Sequence, residues 1–327
     1  MQAWILPKFG SIANLQIAKV PEPVTEKSDV LLEVLYSALN PADRYLAEGA
    51  YPARPPLPHI LGRDGVGVVR SVGSGVSGWQ PGDNALIIRG PVGVERPGTF
   101  AQRVAVPASC LAAVPDGWSL QQAGSASLAY LTAWQALTQW GPLGTSVVLI
   151  TGASGGVGVA GTQLASSIGH HVIGLSRSPE KGRKLTEIGA AFVADPADTQ
   201  WRKVVLEHLG SRRVDLVIDN IGGAQFPELL DVMAMWGKLS VVGRLAGPVP
   251  QFNTASLFFK RLRIGGVAVG TYTPEESLHA WKQIIQTLAV QNHTPLVDSE
   301  FAFDQLPQAF DRLAAGPMGK VVLRVTA

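Results

Sequence analysis

A glycine-rich turn, Gly152-Ala-Ser-Gly-Gly-Val-Gly158, constrains the fold of this chain more than any other segment. It directly follows the run Ser146-Val-Val-Leu-Ile-Thr151 and opens a stretch from Gly156 to Ile168 that reads as a helix. A second short apolar run, His171-Val-Ile-Gly-Leu175, comes next. Strand, glycine turn, helix and strand in that order form a βαβ unit whose glycines let the backbone approach a bound anion. The helix N-terminus behind the turn adds free N–H groups and a positive dipole end, which suits pyrophosphate. Ser154, Gly155, Gly156 and Val157 are the candidate contacts for it.

The end of the second strand refines the ligand. A dinucleotide with a free ribose 2′-hydroxyl calls for Asp or Glu at that point. Here the chain has Leu175-Ser-Arg-Ser178, with Lys181 one helical turn on. The Ser176 hydroxyl, the Arg177 guanidinium and the Lys181 ammonium suit a 2′-phosphate, which a carboxylate would repel. The expected cofactor is therefore NADPH.

Helices alternate with short buried strands from about Leu120 onward. A helix is expected near Ser125 to Gln139, and further strands at Ala191–Val193, Val214–Asp219, Lys238–Gly243 and Leu262–Val269. Such apolar runs separated by helices predict a doubly wound parallel sheet covered on both faces. Before Pro115 the pattern is different: Val30–Tyr36, Gly65–Val69, Asn84–Ile88 and Phe100–Val106 read as short strands of a barrel-like β domain. The stretch Arg89 to Thr99, with three Gly and two Pro, reads as a mobile loop. The C-terminal Gly319-Lys-Val-Val-Leu-Arg-Val325 returns to β pattern and is expected to rejoin the first domain. The fold class is α/β: a β-barrel domain over 1–121, completed by 270–327, with a Rossmann domain inserted at 122–269.

Composition removes several functional classes. A chain of 327 residues with 46% hydrophobic content can fill two cores. Its net charge of +2 and scattered basic residues argue against a nucleic-acid partner. No window approaches the roughly 20 apolar residues of a membrane helix. The single cysteine, Cys110, excludes an internal disulfide framework and a multi-cysteine zinc site. With too short an apolar run at Met1–Gly10 for a signal peptide, a cytoplasmic protein is expected.

Several segments together carry a wider resemblance. They are Leu39-Asn-Pro-Ala-Asp43, Gly49-Ala-Tyr-Pro52, Leu61-Gly-Arg-Asp-Gly-Val-Gly67, Leu128-Ala-Tyr-Leu-Thr-Ala-Trp134, the glycine turn, Asp215-Leu-Val-Ile-Asp-Asn-Ile-Gly-Gly223 and Gly319-Lys-Val-Val-Leu323. On these the chain resembles the medium-chain dehydrogenase/reductase superfamily, in its zinc-free quinone oxidoreductase and enoyl reductase branch, along essentially its whole length. The resemblance implies a GroES-like catalytic domain and a dinucleotide-binding Rossmann domain. Zinc-dependent relatives have Cys where Asn40 stands and Gly-His-Glu where this chain has Gly62-Arg63-Asp64. Asn and Arg do not replace thiolate and imidazole, so no metal is expected.

Without a Lewis acid, the implied reaction is hydride delivery to an acceptor that is already polarised, a quinone or a conjugated enone. Tyr51 matches a tyrosine beside the substrate and is the candidate hydrogen-bond or proton donor; the other reading is a loop anchor. Asn40 and Asp43 are expected at the pocket edge, although Asn-Pro-Ala-Asp also reads as a helix start. Thr132, Asn220, Gly243, Arg244, Leu245, Val267, Ala268, Val269 and Lys320 carry over as cofactor contacts; for Lys320 the other reading is a solvated residue before an edge strand. The last Rossmann strand, Leu262–Gly270, is an apolar edge expected to pair with a second copy in a homodimer. Two rivals stand beside quinone or enone reduction. One is a trans-2-enoyl thioester (acyl-CoA/ACP) reductase, with Arg44, Arg54 or Arg63 meeting a phosphopantetheine group. The other is an NADPH-binding protein without turnover.

Overall fold

The computed structural model describes residues 1–88, 90–247 and 252–326. The chain divides into two compact units, one of 1–128, 270–282 and 294 onward, the other of 129–269 and 283–293. This departs from the expected boundaries in two places. The start of the helix Leu120–Thr138 stays with the first unit, and the end of the helix Pro274–Ala289 goes with the second. Among the described residues no helix is long and apolar enough to cross a membrane.

The second unit is built on six parallel strands. Their order is Phe192–Ala194, His171–Leu175, Val147–Ile150, Val214–Asp219, Met233–Val241 and Arg263–Gly266. In chain order this is 3-2-1-4-5-6, the dinucleotide-binding arrangement. Every side chain of Val147–Ile150 is buried, which is why the sequence shows an unbroken apolar run there and no alternation. Val205, Leu209, Leu229, Leu230 and Leu239 fill the core of this unit. Burying each contributes roughly 1.5–3 kcal/mol against the entropy of ordering the chain.

The fifth strand starts at Met233, not at Lys238 as expected. Trp236 has φ 66, and the register with the fourth strand shifts between Val214 and Leu216. This irregularity breaks the alternation that a strand pattern needs. The sixth strand ends at Gly266, so Val267 to Val269 lie beyond it and lead into a short turn at Val269–Thr271.

The first unit holds a seven-stranded sheet in which Asp29–Ala38 is the hub. It pairs antiparallel with Asp64–Val72, Arg103–Pro107 and Lys320–Arg324. Val297–Ala302 adds outside Lys320–Arg324, which is therefore an interior strand; the edge expected behind Lys320 lies one strand further out. Leu32, Val34, Phe100, Val104, Phe310 and Leu323 pack its core.

The glycine-rich loop after Asn84–Ile87 is packed. Val92 and Val94 are buried, and Arg96 reaches Asp29 with two hydrogen bonds of 3.1 and 2.5 Å. Gly93 has φ 73, and a Cβ there would lie 2.1 Å from the Gly62 carbonyl oxygen. Its glycine serves close approach to the Gly62–Arg63 backbone rather than mobility. Arg89, where the loop was expected to begin, lies outside the described residues.

Candidate active site

The strand order of the second unit reverses between Val147–Ile150 and Val214–Asp219, and ligands of such sheets bind beyond the carboxyl ends of the strands at that point. Here Thr151 and Asn220 leave the two strands side by side. The Asn220 N–H donates to Thr151 Oγ1 at 2.9 Å, and its Nδ2 donates to the Thr151 carbonyl at 2.8 Å. Thr151 Oγ1 in turn donates to Asp219 Oδ1 at 2.7 Å, an oxygen that also accepts the Ile221 and Gly222 N–H groups. This network fixes the loop and leaves Asn220 Oδ1 buried without a hydrogen-bond partner. A buried acceptor of that kind fits a ligand hydroxyl.

The glycine turn stands next to it. Gly155 caps the helix Gly156–Ile168, and no side chain makes a capping hydrogen bond there. A Cβ at Gly158 would lie 2.4 Å from the Gly152 carbonyl oxygen, so this glycine is needed for the turn itself. A Cβ at Gly155 would find its nearest neighbour at 3.5 Å, so this glycine leaves open a space that a phosphate can use. Ser154 to Val157 are half-buried around that space. These features fit a dinucleotide.

At the end of the second strand Ser176 is buried and Arg177 exposed, while Ser178 caps the helix Pro179–Glu187 that carries Lys181. Thr132 lies half-buried on the helix Leu120–Thr138. Gly243, Arg244 and Leu245 follow the fifth strand, with Leu245 exposed. Beyond the sixth strand the Val267 N–H is held by the Val241 carbonyl and the Ala268 N–H by Gln135 Oε1, both at 2.9 Å.

The first unit concentrates buried charge. Asn40 precedes the helix Pro41–Ala47, and its N–H donates to Asp43 Oδ2 at 2.9 Å. Asp43 Oδ1 accepts from Arg63 Nε at 3.3 Å, so both of its oxygens are engaged. Burial holds the Asp43 carboxyl above its ordinary range, against the opposing pull of Arg63 and the Asn40 N–H. Next along the strand, Asp64 Oδ1 accepts from Ser127 Oγ at 2.8 Å and the Leu128 N–H at 2.9 Å. Its Oδ2 accepts from Asn40 Nδ2 at 3.0 Å and Lys320 Nζ at 3.2 Å. Lys320 is buried, so the solvated reading fails, and its ammonium also donates to Asn40 Oδ1 at 2.6 Å. The Arg63 guanidinium lies over the half-buried Tyr51 ring, 4.3 Å from its centre.

The structure thus brings Asn40, Asp43, Tyr51 and Lys320 into one network in the first unit. It gathers Ser154 to Val157 and Asn220 at the reversal point of the second. Sequence reasoning gave Arg63 no part in this network and passed over Asp64 and Ser127. The available signal was Arg63-Asp64 itself, an ion-forming pair set between glycines in a run that otherwise reads as buried.

Comparison with known proteins places these features in a family. Residues 26–116 match the alcohol dehydrogenase GroES-like domain family, and residues 156–289 match the zinc-binding dehydrogenase family. A quinone oxidoreductase of Pseudomonas aeruginosa is 31% identical over 281 residues, covering 85% of this chain and 85% of its own. The chain belongs to the medium-chain dehydrogenase/reductase superfamily, in its zinc-free quinone oxidoreductase branch. It is an oxidoreductase of that superfamily. Among solved structures, one described as an NAD-dependent alcohol dehydrogenase superimposes with a TM-score of 0.91 at 28% identity, covering 100% of both chains. A mycobacterial protein complexed with NADPH superimposes with a TM-score of 0.88 at 27% identity, covering 99% of this chain and 100% of that one. Among the described residues of this chain no group of three or more His, Cys, Asp or Glu is placed to hold a metal.

Proposed function

We propose that this reductase uses NADPH to reduce a quinone or a related conjugated enone. The observation that carries the cofactor choice is the end of the second strand, where Ser176 and Arg177 stand in the place of an acid and Lys181 follows on the next helix. Such a group binds a 2′-phosphate by charge-assisted hydrogen bonds, whereas NAD sites place an acid there. The mycobacterial relative complexed with NADPH supports the same reading.

In this proposal the backbone of Ser154 to Val157 holds the pyrophosphate, and Asn220 Oδ1 accepts a ribose hydroxyl. Thr132, Gly243 to Leu245 and Val267 to Val269 face the nicotinamide end. The Val267 and Ala268 N–H groups are already held, so a carboxamide would be met by other backbone groups of that segment. When bound, the nicotinamide supplies a hydride. Tyr51 presents its hydroxyl to the acceptor's oxygen, and Asp43 positions Arg63. The resemblance implies that Lys320 contacts the cofactor; its bonds to Asn40 and Asp64 favour a role in orienting Asn40.

The thioester rival draws less support. Of the arginines offered for a phosphopantetheine group, Arg63 is buried with its Nε on Asp43, and Arg44 is paired with Glu48. A homodimer forms the last part of the proposal: Arg263–Gly266 is the outermost strand, and Ile264 on it is exposed. Oxidation of NADPH in the presence of 1,4-naphthoquinone, an alkenal and crotonyl thioester tests the reading. Turnover with either of the first two supports it. Turnover with the thioester alone selects the rival, and no turnover selects the binding-protein reading.

A further inference from the structure

The first unit buries two anions, Asp43 and Asp64, and two cations, Arg63 and Lys320, none more than 6% exposed. Buried charges persist only when paired and hydrogen-bonded. All four oxygens of the carboxylates are engaged, and the Lys320 ammonium has two acceptors. Arg63 is different. Its Nε is committed to Asp43 and its Nη2 to the Ala42 carbonyl at 3.0 Å, while one face of the guanidinium covers Tyr51. Among the described residues Nη1 has no acceptor, and it is not among the atoms sealed from solvent. A fixed guanidinium with one open edge, stacked on a tyrosine, is a preorganised donor for an oxygen that gains negative charge.

We propose that Arg63 is a catalytic residue that binds the carbonyl oxygen of the acceptor through Nη1, doing with a fixed cation what a metal does in zinc-dependent relatives. The proposal rests on the conjugated-acceptor reading above and names the group that makes such acceptors reactive. As hydride adds to the β-carbon of an enone, the π electrons of the C=C bond shift through the conjugated system to the oxygen. The enolate so formed is held by Arg63, which keeps its own proton. A proton from water then adds to the α-carbon. The enone is reduced by two electrons, and one NADPH is consumed with one proton.

This assignment makes a prediction that a structural role does not. An alkyl enone depends on outside stabilisation of its enolate oxygen. A quinone gains an aromatic ring on reduction and depends on it less. The test compares the wild type with Arg63→Lys, Arg63→Gln and the double variant Asp43→Asn/Arg63→Gln, in which no unpaired buried charge remains. The expected result for the double variant is a loss of about 100-fold in kcat with an alkyl enone and under about 10-fold with 1,4-naphthoquinone. Arg63→Lys should restore part of the enone rate. Equal losses with both acceptors, or no loss with either, would overturn the assignment.

A binding measurement separates this proposal from the reading it rests on. The probe is 4-nitrophenol, whose phenolate oxygen copies an enolate and whose absorbance reports its ionisation. The wild type should bind the phenolate and lower its pKa, and the double variant should not. If the wild type turns over no acceptor at all, the conjugated-acceptor reading fails while the nitrophenol titration still decides Arg63. An unchanged titration in the double variant would overturn the Arg63 assignment whatever the rates.

Discussion

The Lys320 ammonium lies 2.6 Å from Asn40 Oδ1, across 280 residues of sequence, and Lys320 Nζ and Asn40 Nδ2 both donate to Asp64 Oδ2. A buried cation thus faces a buried carboxylate, and it brings its charge from a C-terminal strand that pairs with the hub of the first sheet.

Removing that cation is expected to be costly. Lys320→Met leaves Asp64 enclosed with hydrogen bonds but without its counter-charge, and should destabilise the protein by about 3 kcal/mol or more. Adding Asp64→Asn to it should recover much of the loss, because no buried charge is then left without its partner. Urea unfolding of the two variants checks this; a double variant no more stable than the single one would count against a charge-based account.

The two glycines of the dinucleotide turn should part company. Gly155→Ala has room for its methyl group and should fold within about 1 kcal/mol of the wild type, yet weaken NADPH binding at least about 10-fold. Gly158→Ala forces a Cβ against the Gly152 carbonyl and should lose stability as well, by about 1–3 kcal/mol. Thermal melts with and without NADPH separate the two effects. Equal melting losses would contradict the packing difference.

Acid should release the loop that Arg96 pins. Burial alone would raise the Asp29 carboxyl, but its hydrogen bond to Arg96, the Glu26 N–H and the charge of Arg96 together outweigh it and hold the group below its ordinary value. A lowered carboxyl favours the folded state above the unfolded pKa of about 4, and that contribution disappears as pH falls through the folded value. Stability should therefore drop steeply below about pH 4. Asp29→Asn/Arg96→Gln should flatten that part of the curve, while Arg96→Gln alone should cost about 3 kcal/mol at neutral pH. Denaturation midpoints across pH 3 to 7 decide it, and a double variant as acid-sensitive as the wild type would exclude Asp29 as the cause.

The outer strand of the second sheet provides a fourth test. Ile264→Lys on Arg263–Gly266 should turn a dimer into a monomer at micromolar concentration, as read by light scattering, with little change in NADPH affinity. A wild type of monomeric mass would contradict the dimer outright.

How much of this could be read from the sequence depended on how local the determinant was. The helix Gly156–Ile168 and the strands His171–Leu175 and Val214–Asp219 have the expected limits, since glycines and uninterrupted apolar runs mark their ends. The helix from Leu120 was expected to start at Ser125. Its true start carries a capping box in which the Ser119 N–H donates to Gln122 Oε1 at 2.8 Å and the Gln122 N–H donates to Ser119 Oγ at 3.2 Å, a pattern visible as Ser119-Leu-Gln-Gln122. Met233 to Gly237 went unrecognised because the turn at Trp236 interrupts the period. The positions of Asn40, Asp43, Tyr51 and Asn220 could be proposed from their motifs. The burial of Lys320 and the orientation of Arg63 could not, because their partners lie on other strands and loops and no local pattern encodes a long-range ion pair.

The most direct test of the central claim is NADPH against NADH in the reduction of 1,4-naphthoquinone and an alkenal, for the wild type and Arg177→Ala. Turnover is expected with at least one acceptor, with a kcat/KM for NADPH at least about 10-fold above that for NADH and loss of most of that preference in the variant. Equal use of the two cofactors by the wild type, or a preference untouched by Arg177→Ala, would contradict that claim.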